Sequence, residues 1–328
     1  MERYGAMNML QSPNLRQAIK DANESGRCLL GSVLGIPSVA NAKILAAMPD
    51  TDFVWVDAEH TPYSPTLLSE VVHTLKFYSH GKTIPMVRVP NHSHEWIAWA
   101  LDAGAGGIVL PHTETVEQVQ AAIAAARFPP HGHRSFPPFV VIFGLQDTAP
   151  EGKTWLDVAS EHCAVIPQIE SLKGVENLEA IMQVPGVDAI MVGPGDLMLD
   201  IGVGKEAEIA AAHARIEALA KKYNMPLVSA AFEHQVEEKY KKGYRMLATA
   251  MDVWILSAGV QKNIASAREV CEKARREIQG EENGGANGHA NGSANGHANG
   301  HGNGHANGEA DGAANGAAAA PAAVEAQQ

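Results

Sequence analysis

The stretch DFVWVDAEHTPYSPTLLSEVVHTLKFYSHGKTIPMVRV, residues 52–89, contains the pattern on which the fold of the whole chain depends. A short apolar run, DFVWV, is followed by the helical pattern SPTLLSEVVHTLKFYS and then by a second apolar run, IPMVRV. Because both short runs are apolar throughout rather than alternating, we expect parallel strands that are covered on both faces. Ser64 before Pro65 is a typical start for the intervening helix.

The same strand-then-helix pattern recurs along the chain. Six further apolar runs are CLLGSVL from Cys28, GGIVL from Gly106, AVIPQI from Ala164, DAIMV from Asp188, MPLVSA from Met225 and RMLATA from Arg245. Helical patterns such as TETVEQVQAAIAAAR, with Thr113 as its expected N-cap, and EAEIAAAHARIEALAKKY lie between them. Eight strands alternating with helices predict an α/β fold of the (β/α)8 TIM-barrel type. The competing fold is an open doubly wound sheet, although no GxGxxG motif follows the first strand.

The composition changes abruptly near the C-terminus. Residues 281–328 are rich in Gly, Asn, Ala and His and contain no Leu, Ile, Phe, Trp or Tyr. Such a segment cannot bury enough apolar surface to offset the loss of chain entropy on folding. We therefore predict a barrel domain over residues 1–280 and a disordered low-complexity tail over residues 281–328.

Charge, cysteine content and hydropathy exclude several classes of protein. A net charge of −12 and a pI near 5.6 argue against a nucleic-acid partner. The three cysteines lack metal-ligand spacing, which indicates reduced thiols. No apolar run is long enough to span a membrane, and the first residues lack the apolar core of a secretory signal. We expect a cytoplasmic protein that binds neither nucleic acid nor membranes.

Active sites of such barrels lie at the carboxyl ends of the strands. The polar residues expected there belong to five consecutive strands: Asp57, Glu59 and His60 after the second, Arg88 in the third, His112 after the fourth, Glu170 after the fifth, and Gly195 and Asp196 after the sixth. These residues are the candidates for chemistry.

Two carboxylates follow neighbouring strands. Glu170 and Asp196 each come after an apolar strand, so we expect them side by side at the barrel mouth. Carboxylate oxygens suit hard cations such as Mg²⁺ or Mn²⁺. The alternative is that each acid only caps the helix that follows it.

Arg88 and His60 suggest stabilisation of an anion and proton transfer. The planar guanidinium of Arg88 matches a carboxylate or an enolate oxygen; the alternative is a buried ion pair with an acid such as Asp57. His60 lies three residues after Asp57, and a histidine oriented by a carboxylate is suited to proton transfer near neutral pH. Gly195 allows close approach of a ligand, whose carboxylate the amides at this helix start could bind; the alternative is a simple turn.

The segments FVWVDAEH, PMVRVP, GAGGIVLPH, RFPPHGHRS, PQIE and VGPGDL together resemble the HpcH/HpaI aldolase family, over about residues 12–270. The resemblance implies a (β/α)8 barrel, a divalent cation (Mg²⁺, Mn²⁺ or Co²⁺), and a pyruvate-like 2-oxo acid whose carbon–carbon bond beside the ketone is made or broken. Within the family the chain is most similar to a fungal branch that decarboxylates oxaloacetate and uses the resulting enolate. It departs in having Met198 where a serine is usual and no tyrosine between Phe136 and Glu170, Trp155 being the nearest aromatic residue.

The resemblance also implies a role for each candidate. The metal ligands are Glu170 and Asp196, Gly195 supports the substrate carboxylate, Arg88 stabilises the enolate of the metal-bound pyruvate, and His60 with Asp57 handles the proton. The residues expected to line the second-substrate region are Trp55, His112 and Phe136. Asp102 resembles an acid that the family brings to a neighbouring subunit's site, in homohexamers with exchanged terminal helices.

Two other functions remain compatible with the sequence. Reversible aldol cleavage of a 4-hydroxy-2-oxo acid passes through the same enolate, so sequence does not separate it from decarboxylation. A non-catalytic metal-binding or scaffold protein could use the tail histidines, which are His289, His297, His301 and His305. We favour the interpretation that these NGHANG units are expanded low-complexity sequence.

Overall fold

The strands form one closed parallel barrel in sequential order in the computed structural model, which describes residues 13–138, 140 and 149–285. They are β1 (Leu29–Leu34), β2 (Phe53–Asp57), β3 (Ile84–Arg88), β4 (Gly107–Leu110), β5 (Ala164–Ile169), β6 (Ile190–Val192), β7 (Leu227–Ala230) and β8 (Tyr244–Met251). Each coincides with one of the eight predicted apolar runs, and the barrel fold is confirmed.

Helices precede the first strand, connect successive strands and follow the last strand. They are α1 (Leu15–Ser25), α2 (Val39–Ala46), α3 (Pro65–Tyr78), α4 (His94–Asp102), α5 (Val116–Ala126), α6 (Trp155–His162), α7 (Leu172–Met182), α8 (Pro194–Ile201), α9 (Glu206–Tyr223), α10 (Glu233–Lys241) and α11 (Asp252–Gly285). No helix within the described ranges combines the length and apolar content that a bilayer span requires.

The strands are apolar throughout because both of their faces are buried. In β2, Phe53 and Trp55 pack inside the barrel with Met86 of β3. The intervening Val54 and Val56 belong to the outer layer between strands and helices. Since successive side chains of a strand point to opposite faces, this register also directs Asp57 inward, at the mouth of the barrel.

Helix starts are fixed by side-chain caps. The Ser64 hydroxyl accepts a hydrogen bond from the Leu67 amide, as predicted for α3. The expected cap of α5 at Thr113 is wrong, because Thr115 caps α5 in a reciprocal arrangement with Gln118. The Thr113 hydroxyl instead donates to the Leu110 carbonyl, so it closes the turn that leaves β4.

The C-terminal helix α11 extends beyond the predicted end of the barrel domain. It begins at Asp252 and continues to Gly285, five residues past the predicted boundary at residue 280. A compact unit that contains the barrel ends at Ala267, and the later part of α11 belongs to a second unit. The remainder of the predicted tail, with its four histidines, lies outside the described residues.

Candidate active site

A buried ion pair joins β2 to β3 at the mouth of the barrel. Asp57 and Arg88 are direct partners in the register of these strands. Arg88 donates from Nε to Asp57 Oδ1 over 2.8 Å and from Nη2 to Asp57 Oδ2 over 2.7 Å. The two side chains are only 9% and 12% exposed. The ion-pair alternative for Arg88 is therefore what the chain adopts.

The expected hydrogen bond between Asp57 and His60 is wrong. Asp57 accepts from Arg88 and, at Oδ1, from the Glu59 amide over 3.1 Å. His60 is 62% exposed, and its Nε2 lies 3.8 Å from Glu59 Oε2. The physical reason is the strand register, which places a permanent cation opposite Asp57. His60 stays at the mouth, accessible to solvent and beside Glu59.

Arg88 is held by two carboxylates and an aromatic face. Its Nη1 lies 3.1 Å from Glu59 Oε2, and its Cζ lies 4.9 Å from the centre of the Trp55 ring. Burial lowers the pKa of Arg88, but Asp57 and then Glu59 outweigh this effect and raise it above its ordinary value. The guanidinium is consequently a fixed, permanently charged group in a water-poor setting.

Glu59, His112 and Glu170 meet beside this ion pair. Their ligand atoms all lie within 4.8 Å of one another. His112 Nε2 is 3.4 Å from Glu59 Oε1, and His112 Nδ1 is 3.5 Å from Glu170 Oε1. The His112 amide also donates to Glu170 Oε1 over 2.6 Å. Glu59 was expected at this strand end without a role, although it stands between the candidates Asp57 and His60 in the sequence.

The backbone of His112 is unusual. Its φ of 46° lies in the left-handed region, which few residues other than glycine adopt. With its backbone in this conformation, His112 contacts Glu170 through both its amide and its ring. The preceding Pro111 carbonyl is bound by the His92 ring nitrogen Nε2 at 2.6 Å, so His92 helps to hold the turn.

Glu170 is almost fully buried, at 2% exposure. Burial raises its pKa, against the opposing effects of the His112 amide and the hydrogen bond from the Gln168 side chain. A Cβ at Gly193 would overlap Glu170 Oε2, so only glycine fits there. Glu170 does not cap α7, because Ser171 does so by accepting from the Gly174 amide. The helix-cap alternative is therefore wrong for Glu170.

Asp196 lies in the first turn of α8, which starts beside the end of β5. The Gly193 amide donates to the Ile169 carbonyl over 3.1 Å and so places this helix start next to Glu170. Asp196 is partly exposed and is not part of the Glu59–His112–Glu170 group. The space around the α-carbon of Gly195 is open, so a ligand can approach the backbone there. An acid in a first helical turn is also favoured by the helix dipole, so the cap alternative stays open for Asp196.

A divalent cation fits this group of side chains. Carboxylate oxygens and an imidazole nitrogen converge within one ion's reach, and the oxygens are the ligands that hard cations prefer. Two buried oxygens, Glu59 Oε2 and Gln168 Oε1, have no hydrogen-bond partner. Buried polar atoms are rarely left in that state, and since Glu59 belongs to the group, a cation bound there would be a partner for its carboxylate.

The remaining candidates fall into two places. Trp55 lies against Arg88, and His112 contacts Glu59 and Glu170, while their role toward a second substrate stays a prediction. Asp102, in contrast, ends α4 on the side where β4 begins, and its Oδ1 accepts from Arg134 Nη2 over 2.6 Å. The exposed Phe136 follows Arg134 by two residues. The segment with Phe136 is thus tied to the amino ends of the strands, and Asp102 binds Arg134 there rather than joining the Glu59–His112–Glu170 group.

Several known proteins are similar to this chain in sequence and in fold. The family model described as HpcH/HpaI aldolase/citrate lyase matches residues 37–258. A hydroxypyruvate/pyruvate aldolase of Rhizorhabdus wittichii is 31% identical over 252 residues, which cover 74% of this chain and 95% of the relative. A 4-hydroxy-2-oxo-heptane-1,7-dioate aldolase of Klebsiella pneumoniae subsp. pneumoniae is 28% identical, covering 75% of this chain and 92% of the relative.

Among solved structures, macrophomate synthase is similar with a TM-score of 0.75 and 37% identity, over 80% of this chain and 92% of that one. Fold, sequence and site chemistry agree with the resemblance seen in the sequence. The chain belongs to the HpcH/HpaI aldolase/citrate lyase family of metal-dependent carbon–carbon lyases.

Proposed function

We propose that this protein cleaves the carbon–carbon bond beside the ketone of a 2-oxo acid through a pyruvate enolate, with oxaloacetate decarboxylation as its main reaction. The observation that carries the proposal is the buried Arg88, fixed by Asp57 and Glu59 next to a group that fits a divalent cation. A rigid cation at this point is suited to an oxygen that gains negative charge during reaction.

Glu170 and Asp196 would hold the cation, with Glu59 and His112 adjacent to Glu170. Mg²⁺, Mn²⁺ and Co²⁺ are the candidates. When bound, the cation supplies a Lewis acid that polarises the substrate's ketone and carboxylate. The amides of Gly195 and Asp196, at the start of α8, would bind the substrate carboxylate, since the space around Gly195 is open.

Arg88 would stabilise the enolate oxygen. Arg88 donates its Nε hydrogen and one Nη2 hydrogen to Asp57. Its Nη1 lies near Glu59 Oε2 but forms no hydrogen bond with that oxygen. A guanidinium has five N–H donors, so donors remain for a substrate oxygen. Asp57 would therefore act through Arg88 as a positioning residue, because it fixes the plane of the guanidinium before substrate binds.

His60 would handle the proton. Decarboxylation needs no base to begin, because carbon dioxide departs and leaves its bonding electrons on the enolate. The enolate carbon must then be protonated, and the exposed His60 ring at the mouth, or a water bound to it, can supply that proton. Glu59, at 3.8 Å, is the acid placed to orient this ring.

A second candidate is reversible aldol cleavage of a 4-hydroxy-2-oxo acid. Two relatives carry the names of aldolases, one of hydroxypyruvate/pyruvate and one of 4-hydroxy-2-oxo-heptane-1,7-dioate, which favours it. This reaction requires a base for the substrate hydroxyl, and His60 beside Glu59 could act as one. Decarboxylation and aldol cleavage share the enolate, so Arg88 would have the same role in both. The two reactions differ in the role of the group that transfers the proton.

We further propose that the protein is a homohexamer in which α11 is exchanged between subunits. Every residue from 253 to 280 is exposed within the chain. Four exposed apolar side chains of this helix, Val253, Leu256, Val260 and Ile264, recur every three to four residues and so share one face, whereas Trp254 stacks on Phe232. An apolar helix face of this kind is typical of an interface. Asp102 and Phe136 would then contribute to a neighbouring subunit's site. Light scattering should give six times the chain mass; a monomeric mass would contradict this arrangement.

The reaction can be identified directly. Chelator-treated protein, with and without Mg²⁺ or Mn²⁺, is incubated first with oxaloacetate and then with pyruvate plus aldehydes, and products are followed by NMR. We expect metal-dependent formation of pyruvate from oxaloacetate above the metal-only background. Turnover that is confined to aldol addition and cleavage would favour the second candidate, and no turnover of either kind would contradict both.

A further inference from the structure

A cavity of about 530 Å³ lies outside the barrel, between α9 and α10 and beside the carboxyl ends of β7 and β8. Its walls are mainly apolar and include Ala210 and Ala214 of α9 and the rings of Phe232 and Trp254. The candidate active-site residues do not line it, although Pro194, which directly precedes Gly195 and Asp196, does. We call this cavity the α9–α10 pocket. Its volume is in the range of small-molecule sites, which are largely apolar with a few placed polar groups.

The pocket contains one cation that lacks a carboxylate partner among the described residues. Lys239 Nζ lies 4.7 Å from the centre of the Tyr244 ring and donates to the Ser229 hydroxyl over 3.3 Å. Burial lowers the pKa of Lys239, with Glu217 and Glu238 opposing the effect. An ammonium group that is partly desolvated without a bonded counter-ion is costly. The site therefore favours an anion at Nζ.

The other charged side chains of the pocket carry one net negative charge, which Lys239 balances without bonding to a carboxylate. Lys242 Nζ binds Glu217 Oε1 at 3.2 Å and Glu238 Oε1 at 2.7 Å. Burial lowers the pKa of His213, so this ring adds no positive charge near neutral pH. The two lysines and two glutamates sum to zero. A bound anion adds to the negative charge of the two glutamates, so the pocket accepts a monoanion at Lys239 more readily than a dianion.

The apolar wall specifies the rest of the ligand. The Phe232 and Trp254 rings stack with centroids 5.1 Å apart and an interplanar angle of 13°. With the alanines of α9 they form a surface on which a flat apolar group can pack. The pocket thus combines a lysine that has no bonded carboxylate among the described residues with an apolar space large enough for a ring.

We propose that the α9–α10 pocket is a second ligand site, separate from the barrel mouth, that binds a monocarboxylate with a ring-sized apolar body. The carboxylate pairs with Lys239 Nζ, and the body packs between the Phe232–Trp254 wall and α9. This site is independent of the lyase reaction proposed above.

The test uses the full-length protein and phenylacetate as the probe. Binding is measured by calorimetry and by the change in tryptophan fluorescence, to which Trp254 in the pocket wall contributes with four other tryptophans. Lys239→Met should weaken binding by roughly 10- to 100-fold, the range for loss of one charge-assisted hydrogen bond. The matched control is Lys241→Met, which removes a lysine of the same helix that is 69% exposed and pairs with Glu237. This control should leave the affinity unchanged.

Further arms keep the test decisive if Lys239→Met folds poorly. Ala214→Phe adds a ring to the pocket at an exposed helix position and should abolish binding. Phenylacetamide, which is neutral, should bind the wild type with the same weak affinity that phenylacetate has for Lys239→Met. Glu170→Gln should bind phenylacetate normally, which separates this pocket from the barrel mouth. Undetectable binding to the wild type, as when another subunit fills the pocket, would overturn the proposal. Equal affinity for Lys239→Met, or loss of binding in Glu170→Gln, would overturn it as well.

Discussion

Replacing Asp57 by Asn distinguishes two roles for this carboxylate. If Asp57 fixes Arg88, the substitution should slow oxaloacetate decarboxylation; if it activates His60, it should slow mainly the exchange of pyruvate methyl protons. The structure favours the first role, since Asp57 makes two hydrogen bonds of 2.7 and 2.8 Å to Arg88. The side-chain oxygen of Asn can still accept one of these hydrogen bonds, but its NH2 group is a donor and cannot accept the other.

The size of the effect follows from that loss. A hydrogen bond to a charged group contributes about 1.5–3 kcal/mol, which corresponds to roughly 10- to 150-fold in rate if the enolate oxygen depends on Arg88. The ceiling is the roughly 10²–10³-fold loss expected for Arg88→Ala, by analogy with removal of one oxyanion donor. Adding Asp57→Asn to Arg88→Ala should then cost little more, because the two residues act as one unit.

The assay follows both reactions by proton NMR, with metal-only samples as background. Asp52→Asn is the matched control, since Asp52 pairs with the exposed Arg27 just before the same strand. The control should retain wild-type rates, and melting temperatures establish that every variant is folded. The reasoning is refuted if Asp57→Asn keeps its decarboxylation rate while losing proton exchange. It is also refuted if the losses of rate caused by Asp57→Asn and Arg88→Ala multiply in the double variant.

Three further outcomes are expected. His60→Ala should slow pyruvate proton exchange more than decarboxylation, because only the former begins with removal of a proton; equal losses in the two NMR assays would contradict this. A chain ending at Gly285 should keep its turnover and melting temperature, and a large loss of either would show that the tail has a folded role. Burial lowers the pKa of Lys76 to about 8 from 10.5, so Lys76→Met should raise the free energy of unfolding at pH 7 by about 3 kcal/mol at most. That gain should shrink between pH 8 and 10.5, because the folded wild type loses its costly charge in this window; urea titrations across pH would contradict the idea if the gain were constant.

The fold could be predicted because burial leaves a local signal. Each strand has both faces covered, so its residues are apolar throughout, and the helices between strands show a different period. The start of α5 was missed because both Thr113 and Thr115 are suitable caps. Which of them binds a helix amide depends on how long the turn after β4 is, and that length is set by the contacts of Thr113 with the end of the strand.

The sequence predicted that charged residues gather at the strand ends, but it predicted neither the role of Glu59 nor which charges pair. Strand ends identified the charged residues, since charge after a buried run is unusual. Which charges pair depends on the register of β2 against β3, and this places Asp57 opposite Arg88 rather than near His60. The contribution of Glu59 likewise depends on the turn at His112, whose left-handed backbone has no sequence signature.

The central claim is that Glu170 and Asp196 hold the catalytic cation, and Mn²⁺ binding tests it most directly. Titrations followed by electron paramagnetic resonance compare the wild type with Glu170→Gln, Asp196→Asn and the control Asp200→Asn. Asp200 lies on the same helix as Asp196, but its carboxylate accepts from the Leu172 amide over 2.7 Å. We predict that both ligand variants weaken Mn²⁺ binding by at least about tenfold, as expected when a charged ligand is removed, and that Asp200→Asn binds as the wild type does. Wild-type Mn²⁺ affinity in the Glu170→Gln/Asp196→Asn double variant would contradict the account.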